Sequence, residues 1–219
     1  LGDPEREVLW GRGVSDEQIR LFRLGVLNQV LPTGPQYPPK FLEWCWSGRR
    51  LDHMFVLPMT NTLGQVKGIQ VRHVDRSKKG YSNFYAAEDE PVFFGLAQAM
   101  PSVWSRRSAW LVEGPFDLFP VQRVVPNVIS TMTAGLPQPL YRSLKRLVDE
   151  LWLGYDRDEA GQRGIRVIQN THGREFRVHS VQWPGVQRLD GQGPVKDPSD
   201  LWEAWGDERL GVFLRALDN

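Results

Sequence analysis

Short apolar runs alternate with longer, mainly polar stretches through the second half of the chain. The runs predict strands at residues 109–112, 128–130, 151–155 and 176–181. The clearest helical pattern lies at 137–150, where a proline stands near the start and one face carries Leu140, Leu144, Leu147 and Val148. Strands that alternate with helices predict a parallel sheet with right-handed crossovers.

The first half of the chain mixes helical and strand signals. Ser15 opens a capping box with Gln18, which predicts a short helix that Gly25 ends. A proline-rich stretch at 31–40 predicts a loop. Two strands are predicted at 54–59 and 65–71 around a turn at 61–64, with a further strand at 83–85. Two short helices, at 201–204 and 208–216, are predicted to close the chain.

Composition narrows the class of protein. The 219 residues are 41% hydrophobic and 24% charged, and no apolar run approaches the roughly 20 residues needed to cross a bilayer. The single cysteine, Cys45, excludes a disulfide framework and a cysteine zinc site. With no signal-peptide pattern, we expect a cytoplasmic protein without a membrane partner.

Charge is unevenly distributed, although the net charge is only +1. Residues 1–107 hold 14 Lys/Arg against 11 Asp/Glu, whereas residues 108–219 hold 13 against 15. The densest basic stretch runs over 72–80 and includes Arg72, Lys78 and Lys79. Because nucleic-acid binding needs local basic patches more than a high overall charge, this stretch is a candidate nucleic-acid-binding surface, with a solvated hairpin tip as the alternative.

Three acidic pairs follow strands or strand-like segments. They are Glu113 with Asp117, Asp156 with Asp158, and Asp197 with Asp200. The carboxyl ends of parallel strands meet at one edge of a sheet, so these side chains are expected to converge there. Gathered carboxylates repel one another unless a cation holds them, and oxygen ligands favour Mg²⁺ or Mn²⁺. The pattern therefore predicts metal-dependent chemistry on phosphates.

The order of these acids resembles that of the Toprim domain, an α/β metal-binding module. Residues 112–117 are similar to the family's glutamate motif, and residues 155–161 to its D-x-D motif. Between them, residues 129–136 resemble a small-residue turn found in primases, and the ending Ala160-Gly161 also favours primases. This resemblance covers about 90 residues, from Trp110 to Asp200.

Residues that precede this region point to DnaG-type primases. Residues 9–15 and 22–26 resemble the start of that family's polymerase core, and residues 55–72 resemble its following hairpin with a closing arginine. The resemblance implies an α/β fold with an N-terminal mixed α+β subdomain at 1–107. It further implies a Toprim catalytic domain with a Rossmann-like, largely parallel sheet at 108–205, and a C-terminal helix at 206–219.

The chain departs from the family pattern at several points. Arg157 stands between the two aspartates where primases usually have glycine, and Asp197-Pro198-Ser199-Asp200 replaces D-P-D. Phe93-Phe94-Gly95 stands where a lysine is usual. Neither the N-terminal zinc-binding module nor a P-loop helicase is found in this sequence, so we expect a phage or plasmid relative or an excised core.

The resemblance implies a DNA primase that makes short RNA or mixed primers on single-stranded DNA from nucleoside triphosphates, with a replicative helicase as partner. It implies a two-metal Mg²⁺ or Mn²⁺ site with Glu113, Asp156 and Asp158 as catalytic residues and ligands. Asp197 would be a further metal ligand, while Asp117 and Asp200 would support the ligand residues without contacting the metal. The cations expected to hold template or triphosphate are Arg12, Arg72, Lys78 and Lys79.

Other classes of function stay open. A Toprim nuclease would use the same acids, and a haloacid-dehalogenase-type phosphatase would use Asp156 as nucleophile and Asp158 as acid. The phosphatase usually carries its D-x-D motif after the first strand of its sheet, and a topoisomerase would need a tyrosine-bearing domain that is not evident. A non-catalytic module that binds single-stranded DNA or a helicase would be marked by the loss of one acid, as Ser199 suggests.

Overall fold

The computed structural model describes residues 1–27, 37–47, 53–75, 77–78, 80–86, 92–189, 191 and 193–218. The first half contains three helices and four strands within these ranges. In chain order they are α1 (Asp3–Trp10), α2 (Asp16–Leu21), β1 (Gly25–Leu27), α3 (Pro39–Trp46), β2 (Met54–Thr60), β3 (Val66–His73) and β4 (Tyr81–Tyr85).

The four N-terminal strands form an antiparallel sheet in the order β1-β2-β3-β4. The predicted hairpin is present, because β2 and β3 pair around a turn in which the Asn61 carboxamide oxygen accepts bonds from the backbone N–H groups of Leu63 and Gln65. At the start of α2, Ser15 and Gln18 form the predicted capping box. The local sequence signals in this half therefore specify the strand that carries Arg72 and the helix that follows the turn of Arg12.

The second half contains five helices and four strands. In chain order they are α4 (Leu96–Arg106), β5 (Ser108–Val112), α5 (Pro115–Gln122), β6 (Val128–Ser130), α6 (Gln138–Leu144), β7 (Glu150–Leu153), α7 (Glu159–His172), β8 (Arg177–Ser180) and α8 (Pro198–Asp218). The strands form a wholly parallel sheet in the order β6-β5-β7-β8. The predicted α/β fold, with its mixed first part and parallel second sheet, is confirmed.

The parallel sheet is buried on both faces. Alternate residues of β5 point to opposite sides, so Trp110 and Val112 pack with residues of α2, α5 and α8, while Ala109 and Leu111 pack with α4, α6 and α7. The first of these cores also takes in Phe55 and Leu57 of the N-terminal sheet. One continuous core thus holds the two sheets together, and the domain boundary at 107 stays a prediction.

Some predicted boundaries differ from the structure. The helix predicted at 137–150 ends at Leu144, whose carbonyl accepts the N–H groups of Leu147 and Val148 in a turn. The chain has to reverse there, because β7 must begin at Glu150 to run parallel to β5. Leu147 and Val148 still pack into the core. The apolar pattern therefore indicated which residues are buried and did not indicate where the helix ends.

Three further differences are local. Helix α2 ends at Leu21 with Phe22 as its C-cap, and Gly25 begins β1 instead of stopping the helix. The predicted loop at 31–40 lies partly outside the described residues, and its last two residues begin α3. The two predicted closing helices are longer than expected and meet at Gly206, whose φ of 71° breaks the helical path. No helix among the described residues is long and apolar enough to cross a membrane.

Candidate active site

The first two acidic motifs meet at the carboxyl edge of the parallel sheet. Glu113 directly follows β5, and Asp156 follows the neighbouring strand β7. The backbone N–H of Asp156 donates a hydrogen bond of 3.1 Å to Oε1 of Glu113. The structure therefore brings together the residues that sequence reasoning paired across 43 positions.

Asp158 begins helix α7. Its Oδ1 accepts a hydrogen bond of 2.9 Å from the N–H of Gly161, which makes Asp158 the N-cap of the helix and fixes one of its two oxygens. The side chain is exposed. Gly161 packs directly under the motif, because a β-carbon there would overlap the carbonyl oxygen of Asp156 and lie 2.7 Å from Oε1 of Glu113. Only glycine lets α7 approach the two acids this closely.

Asp197 and Asp200 have different surroundings. Asp197 Oδ1 accepts a bond of 2.7 Å from the N–H of Asp200 at the start of α8, and the side chain is half-buried. Asp200 is buried and forms an ion pair of 2.8 Å with Arg188. The charge of Asp200 is thus balanced by an arginine, while Asp197 remains available to the cluster.

Asp117 lies one helical turn beyond Glu113, in the first turn of α5. Its Oδ2 accepts a bond of 2.9 Å from the N–H of Gly114. The carboxyl keeps some contact with solvent but lies deep among protein atoms, and burial raises its pKa well above the ordinary value, as do the charges of Asp197, Asp156 and Glu113. It supports the turn that carries Glu113.

The acids raise one another's pKa. Burial, followed by the charges of Asp197 and Glu113, raises the pKa of Asp156 to about 8. Burial raises the pKa of Asp197 to about 6, and the charge of Asp200 adds to this effect. The pKa of Glu113 is raised by burial and by the charges of Asp158 and Asp197. Such mutual repulsion marks a place where positive charge would be stabilised.

The donor set suits a hard divalent cation. All the converging side chains offer carboxylate oxygens, and Oδ1 of Asp156 is buried without a hydrogen-bond partner. Among the described residues, however, no group of three or more acids, histidines or cysteines is arranged closely enough to hold a metal ion as it stands. The residues fit a divalent cation by the chemistry of their donor atoms.

A cavity of about 200 Å³ opens beside the acids. One wall comes from Glu113, Asp117 and Asp156, with Met132 and Thr133 of the loop after β6. The N-terminal sheet contributes Gln70, Arg72 and Tyr81 to the lining. The cavity thus lies between the two sheets and is lined by a cation as well as by carboxylates.

The four predicted cationic residues lie in different places. Arg72 lines the cavity, and the half-buried Arg12 has its guanidinium carbon 4.1 Å from the centre of the Phe116 ring, in the same helix turn as Asp117. Lys78 is exposed and is not among the residues that line the cavity. Lys79 lies outside the described residues.

Sequence reasoning missed several residues of the site. Gln70 lies two positions before Arg72 on the same face of β3, so the strand's alternation could have identified it. Tyr81 stands opposite Arg72 in the antiparallel register of β3 and β4. Arg188, the partner of Asp200, comes from a proline- and glycine-rich loop with no periodic signal. No local pattern pointed to it.

Comparison with known proteins shows what the second half of the chain resembles. Residues 110–200 match the family model described as Toprim-like. Sequence relatives include the DNA primase of Lactococcus lactis, 26% identical over 185 residues, with 75% of this chain and 29% of the relative covered. The DNA primase of Deinococcus radiodurans is 25% identical over 236 aligned positions, with 98% of this chain and 40% of the relative covered.

Solved structures extend the likeness to nearly the whole chain. The zinc-binding and RNA polymerase domains of the Aquifex aeolicus primase match with a TM-score of 0.70 and 22% identity, covering 98% of this chain and 56% of that one. A DnaG primase catalytic domain bound to ssDNA matches with a TM-score of 0.71 and 18% identity, covering 96% and 70%. The chain has the fold of a DnaG-type primase catalytic core. It spans less than half the length of the curated relatives it matches.

Proposed function

We propose that the chain is the nucleotidyl-transfer core of a DNA primase that makes short RNA or mixed primers on single-stranded DNA. The observation that carries this proposal is the meeting of the first two acidic motifs at one sheet edge, in a cavity that Arg72 also lines, in the fold of a primase core. The sequence relatives, which are DNA primases, support the same activity. A cytoplasmic location follows from that activity.

Mg²⁺ or Mn²⁺ ions would be held by Glu113, Asp156, Asp158 and Asp197, as a two-metal site. Bound ions of this kind lower the pKa of an attacking hydroxyl and neutralise charge on a leaving pyrophosphate. Glu113 accepts the Asp156 N–H, and its raised pKa also suits it to accept or donate a proton. Asp117 and Asp200 would support the metal-binding residues without contacting the metal. Asp117 accepts the N–H of Gly114, and Asp200 pairs with Arg188.

The cations would hold the phosphates that metal does not reach. Arg72 lines the same cavity as the acids and would contact a triphosphate or the template backbone. Arg12 lies against Phe116 of α5 and would contribute as well. Lys78 and Lys79 are further candidates for contact with the template. A replicative helicase is the expected partner of such a core.

The activity is tested by incubating the chain with single-stranded DNA, labelled ribonucleotides and either Mg²⁺ or Mn²⁺. Short products should form with metal and disappear in Asp156→Asn. Asp149→Asn is the matched control, since Asp149 precedes the other end of β7 and pairs with Arg107 at the surface. Absence of product with both metals contradicts the proposal.

The nuclease is the second candidate, because the same acids could hold a metal for hydrolysis of a phosphodiester. It is favoured if the template is shortened by the parent chain and left intact by Asp156→Asn. Tight binding of single strands with neither synthesis nor cleavage would instead identify a non-catalytic module. The observation that favours a non-catalytic module is Ser199, which stands where the family's third motif has its second aspartate, beside the Arg188-bound Asp200.

A further inference from the structure

Two arginines from different parts of the chain lie against one aromatic ring. The guanidinium carbon of Arg12, in the turn between α1 and α2, is 4.1 Å from the centre of the Phe116 ring. That of Arg72, on β3, is 4.9 Å from the same centre. Phe116 belongs to the first turn of α5, between Glu113 and Asp117. The ring therefore joins both cationic candidates to the acidic motif.

The ring is held firmly in place. Phe116 is only 5% exposed, and its ring centre lies 6.4 Å from that of Phe55 and 5.9 Å from that of Phe119. Phe55 stands opposite Arg72 in the register of β2 and β3. Phe119 continues the contacts to Phe22 and Phe94 deeper in the core. Its position is thus set by the packing between the two sheets.

The electronic structure of the ring explains why it suits two cations. The face of a phenylalanine ring carries partial negative charge and attracts a guanidinium, and each such contact changes binding by about 2-fold to 30-fold. A guanidinium that stacks on a ring keeps the N–H groups along its edge for planar bonds to phosphate oxygens. A ring shared by two arginines also offsets part of the repulsion between them.

We propose that Phe116 is a positioning residue that holds Arg12 and Arg72 together as a clamp for phosphate groups beside the carboxylates. This inference rests on the proposed function, which it deepens by adding a positioning residue. The ligand is a phosphate, supplied either by the incoming triphosphate or by the backbone of the template. Phe116 itself makes no contact with the reacting atoms and acts through the two guanidinium groups.

The test replaces Phe116 with phenylalanine analogues that carry one, three and five fluorines. Fluorine withdraws charge from the ring face with little change in shape, so a ring that serves only as packing would not respond in a graded way. Binding is followed with two probes, a labelled oligo(dT) strand and tripolyphosphate. We expect the dissociation constant for at least one of them to rise stepwise with fluorine number, by about fivefold in total. The responding probe identifies the source of the phosphate.

Controls separate positioning from packing. The same analogues at Phe119, whose ring packs on Phe22, Phe94 and Phe116, should leave both dissociation constants unchanged. Phe116→Tyr should stay within about twofold of the parent, because tyrosine also binds cations on its face. In a chain with Arg12→Ala and Arg72→Ala, the fluorine series should become flat, since no guanidinium is left to respond.

A flat series in the parent background, with binding that still depends on Arg72, would overturn the inference. So would an equal response at Phe119, or a response that persists after both arginines are removed. Binding is measured without turnover, so these outcomes remain decisive even if the chain makes no primers. Failure of primer synthesis would contradict only the proposed function, whereas a flat fluorine series would contradict only the proposed phosphate clamp.

Discussion

The backbone N–H of Asp156 donates to the Glu113 carboxylate over 3.1 Å, and this bond links the ends of the adjacent strands β5 and β7. It holds one oxygen of Glu113 toward the D-x-D motif, while Oδ1 of Asp156 has no hydrogen-bond partner. This bond to the main chain thus fixes the two acids relative to each other. A bound positive charge would relieve the repulsion between their carboxylates.

Gly161→Ala should disturb this link. The added methyl group would overlap the Asp156 carbonyl and press on Oε1 of Glu113, so α7 would have to move away. We expect a loss of about 1–3 kcal/mol in the free energy of unfolding, measured with urea, together with loss of primer synthesis. Gly211→Ala in α8 is the control, because the atoms nearest to its new methyl group belong to the flexible end of Arg215. It should stay within about 1 kcal/mol of the parent or gain stability.

Stability without metal should fall as pH rises. The pKa of Asp156 is about 8 in the folded protein against an ordinary value of 3.8, so between these values the folded state keeps a proton that the unfolded chain has lost. The contribution is therefore complete below pH 4 and is lost as pH rises through 8, and Asp197, with a pKa of about 6, adds to the lower part of this window. Urea unfolding between pH 5 and 9 in EDTA measures this decline.

Asp156→Asn should flatten that profile, because the amide has no charge to bury. Each pKa unit corresponds to about 1.4 kcal/mol, so at pH 9 the variant should exceed the parent by at least about that amount. Asp149→Asn, at the opposite end of β7, should keep the parent's slope. A variant with the parent's slope would show that Asp156 does not titrate in this range.

Much of the site could be predicted from sequence because each acid follows a short apolar strand. Parallel strands end at a common edge, so the sequence alone predicts that Glu113 and Asp156 lie close together. This inference depends only on local periodicity and on the geometry of parallel sheets. Arg72 was indicated by the basic stretch at 72–80 and by the resemblance of residues 55–72 to the primase hairpin, and it proves to lie on β3.

The rest depends on tertiary packing. Gln70, Arg72 and Tyr81 line the same cavity as the acids only because the antiparallel sheet shares a core with the parallel one. The two arginines over Phe116 come from segments about 60 residues apart and meet there for the same reason. No periodicity encodes either relationship, and the helix predicted at 137–150 fails on similar grounds, since burial continued where the helix stopped.

Template binding should be electrostatic, with Arg72 among its contacts. Each phosphate contact on a single strand contributes about 0.7 to the slope of log affinity against log salt. Arg72→Ala should reduce that slope by about one such step, and Arg72→Ala with Lys79→Ala by more. Fluorescence anisotropy of a labelled oligonucleotide at several salt concentrations measures both. Arg174→Ala, an exposed arginine just beyond α7, should leave the slope unchanged. Unchanged binding in the Arg72/Lys79 variant would place the template elsewhere.

Metal binding and stability should be coupled through the acids. Because a cation that binds only the folded protein stabilises it by mass action, saturating Mn²⁺ should raise the melting temperature, by the equivalent of about 2.7 kcal/mol at one hundred times its dissociation constant. Asp156→Asn with Asp158→Asn should abolish both this shift and primer synthesis.

The apo form of that double variant should be at least as stable as the parent, since two mutually repelling charges are gone. Loss of the Asp158 N-cap would oppose this gain in stability. That loss is small, because asparagine at 158 can still accept the N–H of Gly161 as an N-cap. Calorimetric scans with and without Mn²⁺ test the pair of effects together, with Asp149→Asn as the variant that should keep the full shift. A double variant that still responds to Mn²⁺ would place the metal away from β7, and one that unfolds alone would mean that Asp156 and Asp158 are structural.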